Sequence, residues 1–373
     1  MENLSNLYVH FPYCEAKCHY CDFYSLPESK HEESVRLNAY SAILSELSHY
    51  DAVLGKLDTL FMGGGTPSLV PLPEMEKIFS KLSFHPSCEI TMEANPSSIS
   101  KEKAKAWRHL GINRISLGVQ ALNNERLIWL GRVHNKKEIF EALDILQSAG
   151  FDNISTDYIV GVPQQTPQLI ESELKELYEN FSNLKHTSAY LLTLKSSNPK
   201  FKELLDEDMQ LTHLQTVRDV LKSFGFEQYE ISNFAKSGFK ARHNENYWLG
   251  GSYLGIGPSA HSYIKNEKKR FKNVASISTY IESLQANRTP IEWEEKLNLE
   301  QERIEYIMLR LRHADGIDTQ EYRKLFGMNF PSEKSTLVTE LTRLKLIEHT
   351  PGTVKLTSDG FFISDPIIQK LIA

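Results

Sequence analysis

Three cysteines fall within eight residues, in Cys14-Glu-Ala-Lys-Cys18-His-Tyr-Cys21, and the fourth, Cys88, stands alone. In a reducing compartment, clustered thiols read as metal ligands before they read as disulfides. A C-x3-C-x2-C loop can wrap three thiolates around one face of an iron–sulfur cubane. Four irons held by three protein thiolates leave one iron open to a small ligand, much as a catalytic zinc keeps an open position. The alternative is a zinc knob completed by His19 or Cys88. Zinc loops come as paired halves, however, and no second C-x2-C or H-x3-H follows. Cys88 reads as a small buried residue at the far end of a strand.

Other residue types with chemical reach recur at intervals. Gly63-Gly64-Gly65-Thr66-Pro67 offers backbone amides without Cβ shielding, able to approach a ligand closely. It is not a Walker loop, because no Lys-Ser or Lys-Thr follows. Glu93 can accept hydrogen bonds from hydroxyls or an ammonium, and Gln120 and Asp157 can add polar contacts. Arg132 can form a bidentate pair with a carboxylate. Tyr8 and Tyr20 flank the thiols, where an aromatic ring can exclude water or stack. A last string, His243-Asn-Glu-Asn-Tyr247-Trp248, sets an imidazole beside two aromatics. That suits a flat, apolar, iron-bearing ligand with the imidazole as axial donor, although a histidine taken alone is more often a satisfied hydrogen-bonding residue. No G-x-S-x-G nucleophile elbow is present near Gly257-Pro-Ser-Ala-His261.

Short apolar strands alternate with amphipathic helices as far as about residue 260. Strands are expected at Leu7–Phe11, Thr59–Met62, Glu89–Glu93, Arg114–Gln120, Asn153–Val160, Ser188–Leu194 and Glu227–Ile231. Lys136–Ala149 reads as a helix stopped by Gly150, and Ser100–Leu110 as one opened by a serine cap and closed by Gly111. Such alternation implies parallel β/α units. Cys14, the Gly63–Pro67 run, Glu93, Gln120 and Asp157 follow, close or lie within successive strands. A barrel gathers functional groups at the carboxyl ends of its strands, so the expected fold is α/β: a TIM-type barrel, in part or whole, over residues 1–260. Residues 261–295 are expected to form a linker or extension, with the basic Ile264–Asn273 run a solvated loop. Residues 296–373 show three helical stripes and a hairpin around Thr350-Pro351-Gly352, a winged-helix pattern.

Composition narrows the function classes. The 373 residues carry 42 basic and 48 acidic side chains, a formal charge of −6, which excludes a generic nucleic-acid coat. The winged-helix segment balances eleven basic against eleven acidic residues, so it lacks the counterion-release term of DNA binding. No apolar run approaches the ~18 residues of a membrane span, and the start has no secretory pattern. A cytoplasmic protein is expected, with peripheral membrane contact left open.

The cysteine spacing resembles that of the radical S-adenosylmethionine (SAM) family. The agreement continues through Tyr8-Val-His10-Phe-Pro12, Gly63-Gly-Gly-Thr66-Pro67-Ser68, Glu93-Ala-Asn95-Pro96 and Gly118-Val-Gln120 with Arg132. It extends to Asp157-Tyr-Ile-Val-Gly161-Val-Pro163, Tyr229-Glu230-Ile-Ser232-Asn233 and the C-terminal segment. Within the family these strings are similar to the branch of oxygen-independent coproporphyrinogen oxidases and their HemW-type heme chaperone relatives. The resemblance implies a [4Fe–4S] cluster on Cys14, Cys18 and Cys21. It implies SAM chelated to the open iron and contacted by Tyr8, Tyr20, Gly64, Gly65, Thr66, Glu93, Gln120, Arg132 and Asp157. In that family, one-electron reduction cleaves the sulfonium to a 5′-deoxyadenosyl radical. The resemblance also implies heme as cargo near His243, Tyr247 and Trp248. Two departures separate the oxidases from the chaperones. Oxidases carry a fourth cysteine, C-x3-C-x2-C-x-C, where this chain has Phe23, and a longer N-terminal extension, where Met1–Asn6 precede the first expected strand. The expected function is therefore heme binding and transfer to acceptor hemoproteins, served by an electron donor. The alternative is oxidative decarboxylation of coproporphyrinogen III, with oxidoreductase machinery.

Overall fold

A computed structural model describes residues 3–373. Six β/α units run in order: β1 (Leu4–Phe11) and α1 (Glu33–His49), β2 (Leu54–Gly64) and α2 (Leu72–Phe79), β3 (Phe84–Ala94) and α3 (Lys101–His109). They continue with β4 (Arg114–Gln120) and α4 (Lys136–Ser148), β5 (Ile154–Val160) and α5 (Pro167–Asn180), and β6 (Leu184–Leu191) and α6 (Glu207–Ser223). Then come β7 (Glu227–Gln228), β8 (Asn233–Ala235), α7 (Arg242–Trp248) and β9 (Leu254–Ile256). The sheet order is β9-β1-β2-β3-β4-β5-β6-β8-β7, parallel from β9 to β6 and antiparallel for the last two strands. The edge strands β9 and β7 do not pair, so the barrel is partial.

Helices cover the sheet, and the strands read as near-continuous apolar runs because both faces are buried; in β4 every residue but Gln120 is buried. The local signals act as the residue types require. Ser100 caps α3 by accepting from the Lys103 amide, and Asn135 with Glu138 forms a full capping box on α4. Gly111 and Gly150 follow their helices in the left-handed region, at φ 96° and 84°. The strand expected to reach Ile231 ends instead at Gln228. Beyond it the chain turns, and Glu230 bridges to His313 of the C-terminal domain.

Of the two expectations for residues 261–295, linker or extension, the structure has an ordered extension. They fold as β10 (His261–Ile264), β11 (Lys269–Asn273), α8 (Ile277–Gln285) and β12 (Ile291–Lys296), an antiparallel three-stranded sheet with a helix. Ile264, Phe271, Ile277, Tyr280 and Leu284 join the barrel's core. The basic run expected to be a loop is thus a hairpin: in its second strand Phe271 and Asn273 are buried on either side of Lys272, a short period-2 signal hidden by the density of Lys and Arg. The remainder forms α9 (Leu299–Leu311), β13 (Ile317–Asp318), α10 (Thr319–Phe326), α11 (Ser335–Arg343), β14 (Ile347–His349), β15 (Thr353–Leu356) and α12 (Ser364–Ile372). The helices α9, α10 and α11, the hairpin and the third short strand make a winged-helix arrangement around a separate core that includes Ile307, Tyr322 and Val354. Among the described residues, no helix is long and apolar enough to cross a membrane.

Candidate functional site

The cysteine loop leaves the carboxyl end of β1. Its two ends are clasped, Tyr13–Cys14 pairing in parallel with Leu26–Pro27 while the Leu26 amide donates to the Pro12 carbonyl at 2.8 Å. Within the loop the Cys21 amide donates to the Cys18 carbonyl at 3.2 Å, a tight turn that holds two thiols near each other. Thr66 Oγ1 donates to Cys14 Sγ at 3.4 Å and Arg132 Nη1 to Cys18 Sγ at 3.7 Å. Burial pushes the Cys21 thiol up, and Lys17 opposes it. Of the two candidates for a fourth zinc ligand, Cys88 is buried within β3, away from the strand ends that carry the loop. His19 lies in the loop, with Nε2 bonded to the Trp129 carbonyl at 2.6 Å and a buried Nδ1 that has no partner.

Below the loop lies a cavity of about 360 Å³. It brings together Cys14, Cys18, Cys21, Tyr20, Gly64, Gly65 and Thr66, and with them Glu93, Gln120, Arg132 and Asp157. Each comes from the cysteine loop, a strand or the connection that follows one, as barrel topology requires. Burial raises the Glu93 carboxyl to about 8, the neighbouring Asp157 adds to the rise, and the Gly64 amide, donating to Glu93 Oε2 at 3.2 Å, offsets part of it. Burial likewise lifts Asp157 to about 6, against donors that include Ser116 Oγ at 3.1 Å. Two desolvated carboxyls facing one cavity call for a cation and for hydroxyl donors. Arg132 sits opposite, with Asn95 and Cys18 as partners and a buried Nε that has none. SAM carries a sulfonium, an ammonium, ribose hydroxyls and a carboxylate, so the donor set fits it. Three thiols without a fourth fit an open-iron cluster. Gly118 makes room for this arrangement, because a Cβ there would meet Gln120 Nε2 at 3.0 Å and both Arg132 and Asn95 at 3.2 Å. Gln120 itself adopts φ 66°, a conformation that costs energy for a residue other than glycine and turns the chain sharply at the strand end.

The glycine triplet differs from its expected use. The amides of Gly64, Gly65 and Thr66 are all occupied, by Glu93, by the Phe11 carbonyl at 2.6 Å and by the Tyr13 carbonyl at 2.7 Å. These glycines therefore seat the cysteine loop against β2 rather than presenting free amides. A Cβ on Gly65 would lie 2.4 Å from the Tyr13 carbonyl, and one on Gly64 2.4 Å from the His10 ring.

Tyr8 does not line this cavity, although Glu93 lies near enough to add to the burial that raises its phenol. Its hydroxyl bonds to His10 Nδ1 at 3.0 Å and its ring stacks on Phe61, beside a second and larger cavity of about 840 Å³. That cavity is lined from the barrel side by Tyr8, Tyr24 and Tyr247, and from the C-terminal domain by Leu299, Tyr306 and Phe326. It shares Asp22 and Phe23 with the first cavity. Of the expected heme residues, Tyr247 lines it while His243 and Trp248 do not. His243 is fully buried, with Nδ1 bonded to Thr59 Oγ1 at 2.6 Å and Nε2 to the Tyr247 hydroxyl at 2.7 Å. In this conformation no ring nitrogen is left for iron, and burial lowers the imidazole to about 3. Trp248 is half-buried at the end of α7.

Tyr190, Ser116 and Asn95 also line the first cavity. Asn95 lies in a motif string quoted above. Ser116 and Tyr190 sit inside ordinary strand patterns, and no spacing singles them out.

Comparison with known proteins agrees with this geometry. Residues 8–177 match the model of the radical SAM superfamily, and residues 292–363 that of the HemN C-terminal domain. The heme chaperone HemW of Haemophilus influenzae is 31% identical, with 98% of this chain and 97% of that protein covered. The chain belongs to the HemW family of radical SAM proteins. A relative of the same name from Lactococcus lactis is 29% identical over the whole chain and 98% of its own length. Among solved structures, the radical SAM coproporphyrinogen III oxidase HemN of Escherichia coli superposes with a TM-score of 0.85 at 20% identity, over 100% of this chain and 91% of that one. At that identity the likeness shows the fold. Membership of the superfamily implies a [4Fe–4S] cluster and SAM.

Proposed function

We propose that this protein is a heme carrier built on a radical SAM scaffold: Cys14, Cys18 and Cys21 hold the cluster, the smaller cavity holds SAM, and the larger one receives heme for delivery to acceptor hemoproteins. The observation that carries the reading is the pair of adjoining cavities. One is thiol- and carboxyl-lined and fits the family's cofactors. The other is aromatic, within the ~300–1,000 Å³ of ligand sites, and opens between two domains. Phe23 and Asp22 stand in the wall they share. Phe23 occupies the position where the oxidases carry a further cysteine, and it puts an apolar ring at the edge of the cargo site.

Within the cofactor cavity each side chain has a separable task. Glu93 and Asp157 take the cationic and hydroxyl-bearing parts of SAM, Arg132 its carboxylate, and Tyr20 closes the side next to the thiols. The reduced cluster supplies an electron when loaded; the chain's contribution is to orient the ligand and keep water out. Four free cysteines suit a reducing cytosol, where an electron donor would meet the cluster from outside. The test is anaerobic. Cluster-loaded protein is titrated with hemin and then mixed with an apo b-type cytochrome, and separately incubated with SAM, a reductant and coproporphyrinogen III. Stable heme binding, transfer to the cytochrome and no protoporphyrinogen are expected. Repeated turnover to protoporphyrinogen would replace this reading with the oxidase.

A further inference from the structure

Two histidines line the larger cavity, and their ring nitrogens differ in availability. His10 is buried, with Nδ1 bonded to the Tyr8 hydroxyl and Nε2 to the Tyr24 carbonyl at 2.8 Å. His261 is exposed to the cavity, and neither of its ring nitrogens makes a hydrogen bond among the described residues. The strand pattern explains the difference. Along β10, Ser262 and Ile264 turn into the core, and Ser262 Oγ accepts from the Gly255 amide at 2.9 Å. The period of two then sends His261 and Tyr263 to the opposite face. Register sets His261 across from Lys272 and Tyr263 across from Arg270, so one sheet face carries an imidazole, a phenol and two cations.

The surroundings favour a large flat guest. Phe23, Leu249, Leu299 and Leu325 are among the chain's exposed large apolar side chains, and all four line this cavity. The carboxylates there are spoken for: Glu302 pairs with Lys268, Glu305 with Arg270 and Glu321 with Arg310. The guest therefore meets rings, aliphatic carbons and balanced charge. Partial burial, with Lys272 and Arg270 nearby, lowers the His261 pKa, which keeps its lone pair free for a metal at neutral pH.

The geometry points to His261 as the residue that supplies the axial nitrogen to the iron of a heme seated between the β10–β11 sheet face and helices α9 and α10. His243 is then a positioning residue, holding the Tyr247 hydroxyl at the cavity wall from behind. This inference rests on the heme-carrying reading and adds to it the location and ligand of the cargo.

The experiment uses full-length, cluster-loaded protein titrated with hemin and followed by Soret absorption and low-temperature electron paramagnetic resonance. Wild type, His261→Gly and His243→Gln are compared, with melting temperatures as the folding control. Wild type should show a histidine-ligated ferric heme. His261→Gly should lose that signature and bind at least roughly tenfold more weakly, the scale on which even a supporting partner of a metal ligand counts. Added imidazole should restore the signature by filling the space left. His243→Gln should keep it. An unchanged spectrum and affinity in His261→Gly, a tyrosinate-ligated wild type, or loss of histidine ligation in folded His243→Gln would each overturn the assignment while leaving the heme-carrying reading standing. No hemin binding by wild type would overturn both.

Discussion

Replacing Glu93 by glutamine tests the cofactor cavity without disturbing its shape. The buried carboxyl is lifted to about 8 in the free protein and shares its environment with Asp157, at about 6. The two titrate as a pair, so near pH 7 the cavity holds roughly one proton, about 0.9 of it on the Glu93 side by the distance of 8 from 7. A bound sulfonium and ammonium remove the cause of the rise, and the carboxyl returns toward its ordinary range. SAM binding at pH 7 should therefore expel nearly a full proton from wild type that Glu93→Gln has no means to release. Any proton lost by the SAM amino group itself is common to both proteins and cancels. Calorimetric titrations at pH 7 in buffers of different ionisation enthalpy give the proton number as a slope. The expected difference between wild type and variant is about 0.9. Stability supplies a second reading with its own sign. A carboxyl raised on folding favours the fold below its unfolded value of 4.5, and that contribution is lost as pH climbs through about 8. In the SAM-free protein Glu93→Gln should then melt higher than wild type at pH 9, with a ceiling of roughly 5 kcal/mol, and match it near pH 4. Equal proton release by the two proteins would refute the argument that two desolvated carboxyls await a cation.

Cys14→Ala, Cys18→Ala and Cys21→Ala should each abolish the brown cluster absorption after anaerobic reconstitution, whereas Cys88→Ala should retain it at an unreduced iron content. Gly65→Ala should lower cluster occupancy as well as SAM affinity, because its Cβ would press on the Tyr13 carbonyl at 2.4 Å and displace the cysteine loop; iron and sulfide analysis of the variant measures this.

The barrel and the mouth were legible in the sequence because both rest on local signals. Apolar strands, capped helices and one unusual residue per strand end suffice to place Cys14, Glu93, Gln120 and Asp157 on a common rim. What stayed hidden depends on neighbours distant in sequence. Tyr8 precedes the cysteines by six residues, yet strand β1 carries it toward Phe61 and the larger cavity. His243 looks like a ligand in its string, but Thr59, 184 residues away, takes its Nδ1. The Gly64 and Gly65 amides look free until Glu93 and Phe11 are folded onto them. The Ile264–Asn273 run is hard to read for a different reason. Its high charge suggests solvation, whereas in the folded strand Phe271 and Asn273 are buried on either side of Lys272.

The placement of Phe23 connects the two cavities to one question of chemistry. The same loop that carries Cys21 carries Asp22 and Phe23 two steps later, so any change in loop position on cluster assembly is felt at the wall of the larger cavity. Asp22 is paired with Lys195 at 2.7 Å, an exposed contact too weak to fix the loop alone. The firmer restraints are the Tyr13–Leu26 clasp and the Lys17 ammonium, which donates to Ser25 Oγ at 2.9 Å. The cluster loop and the wall of the larger cavity thus share a short covalent path, Cys21-Asp22-Phe23.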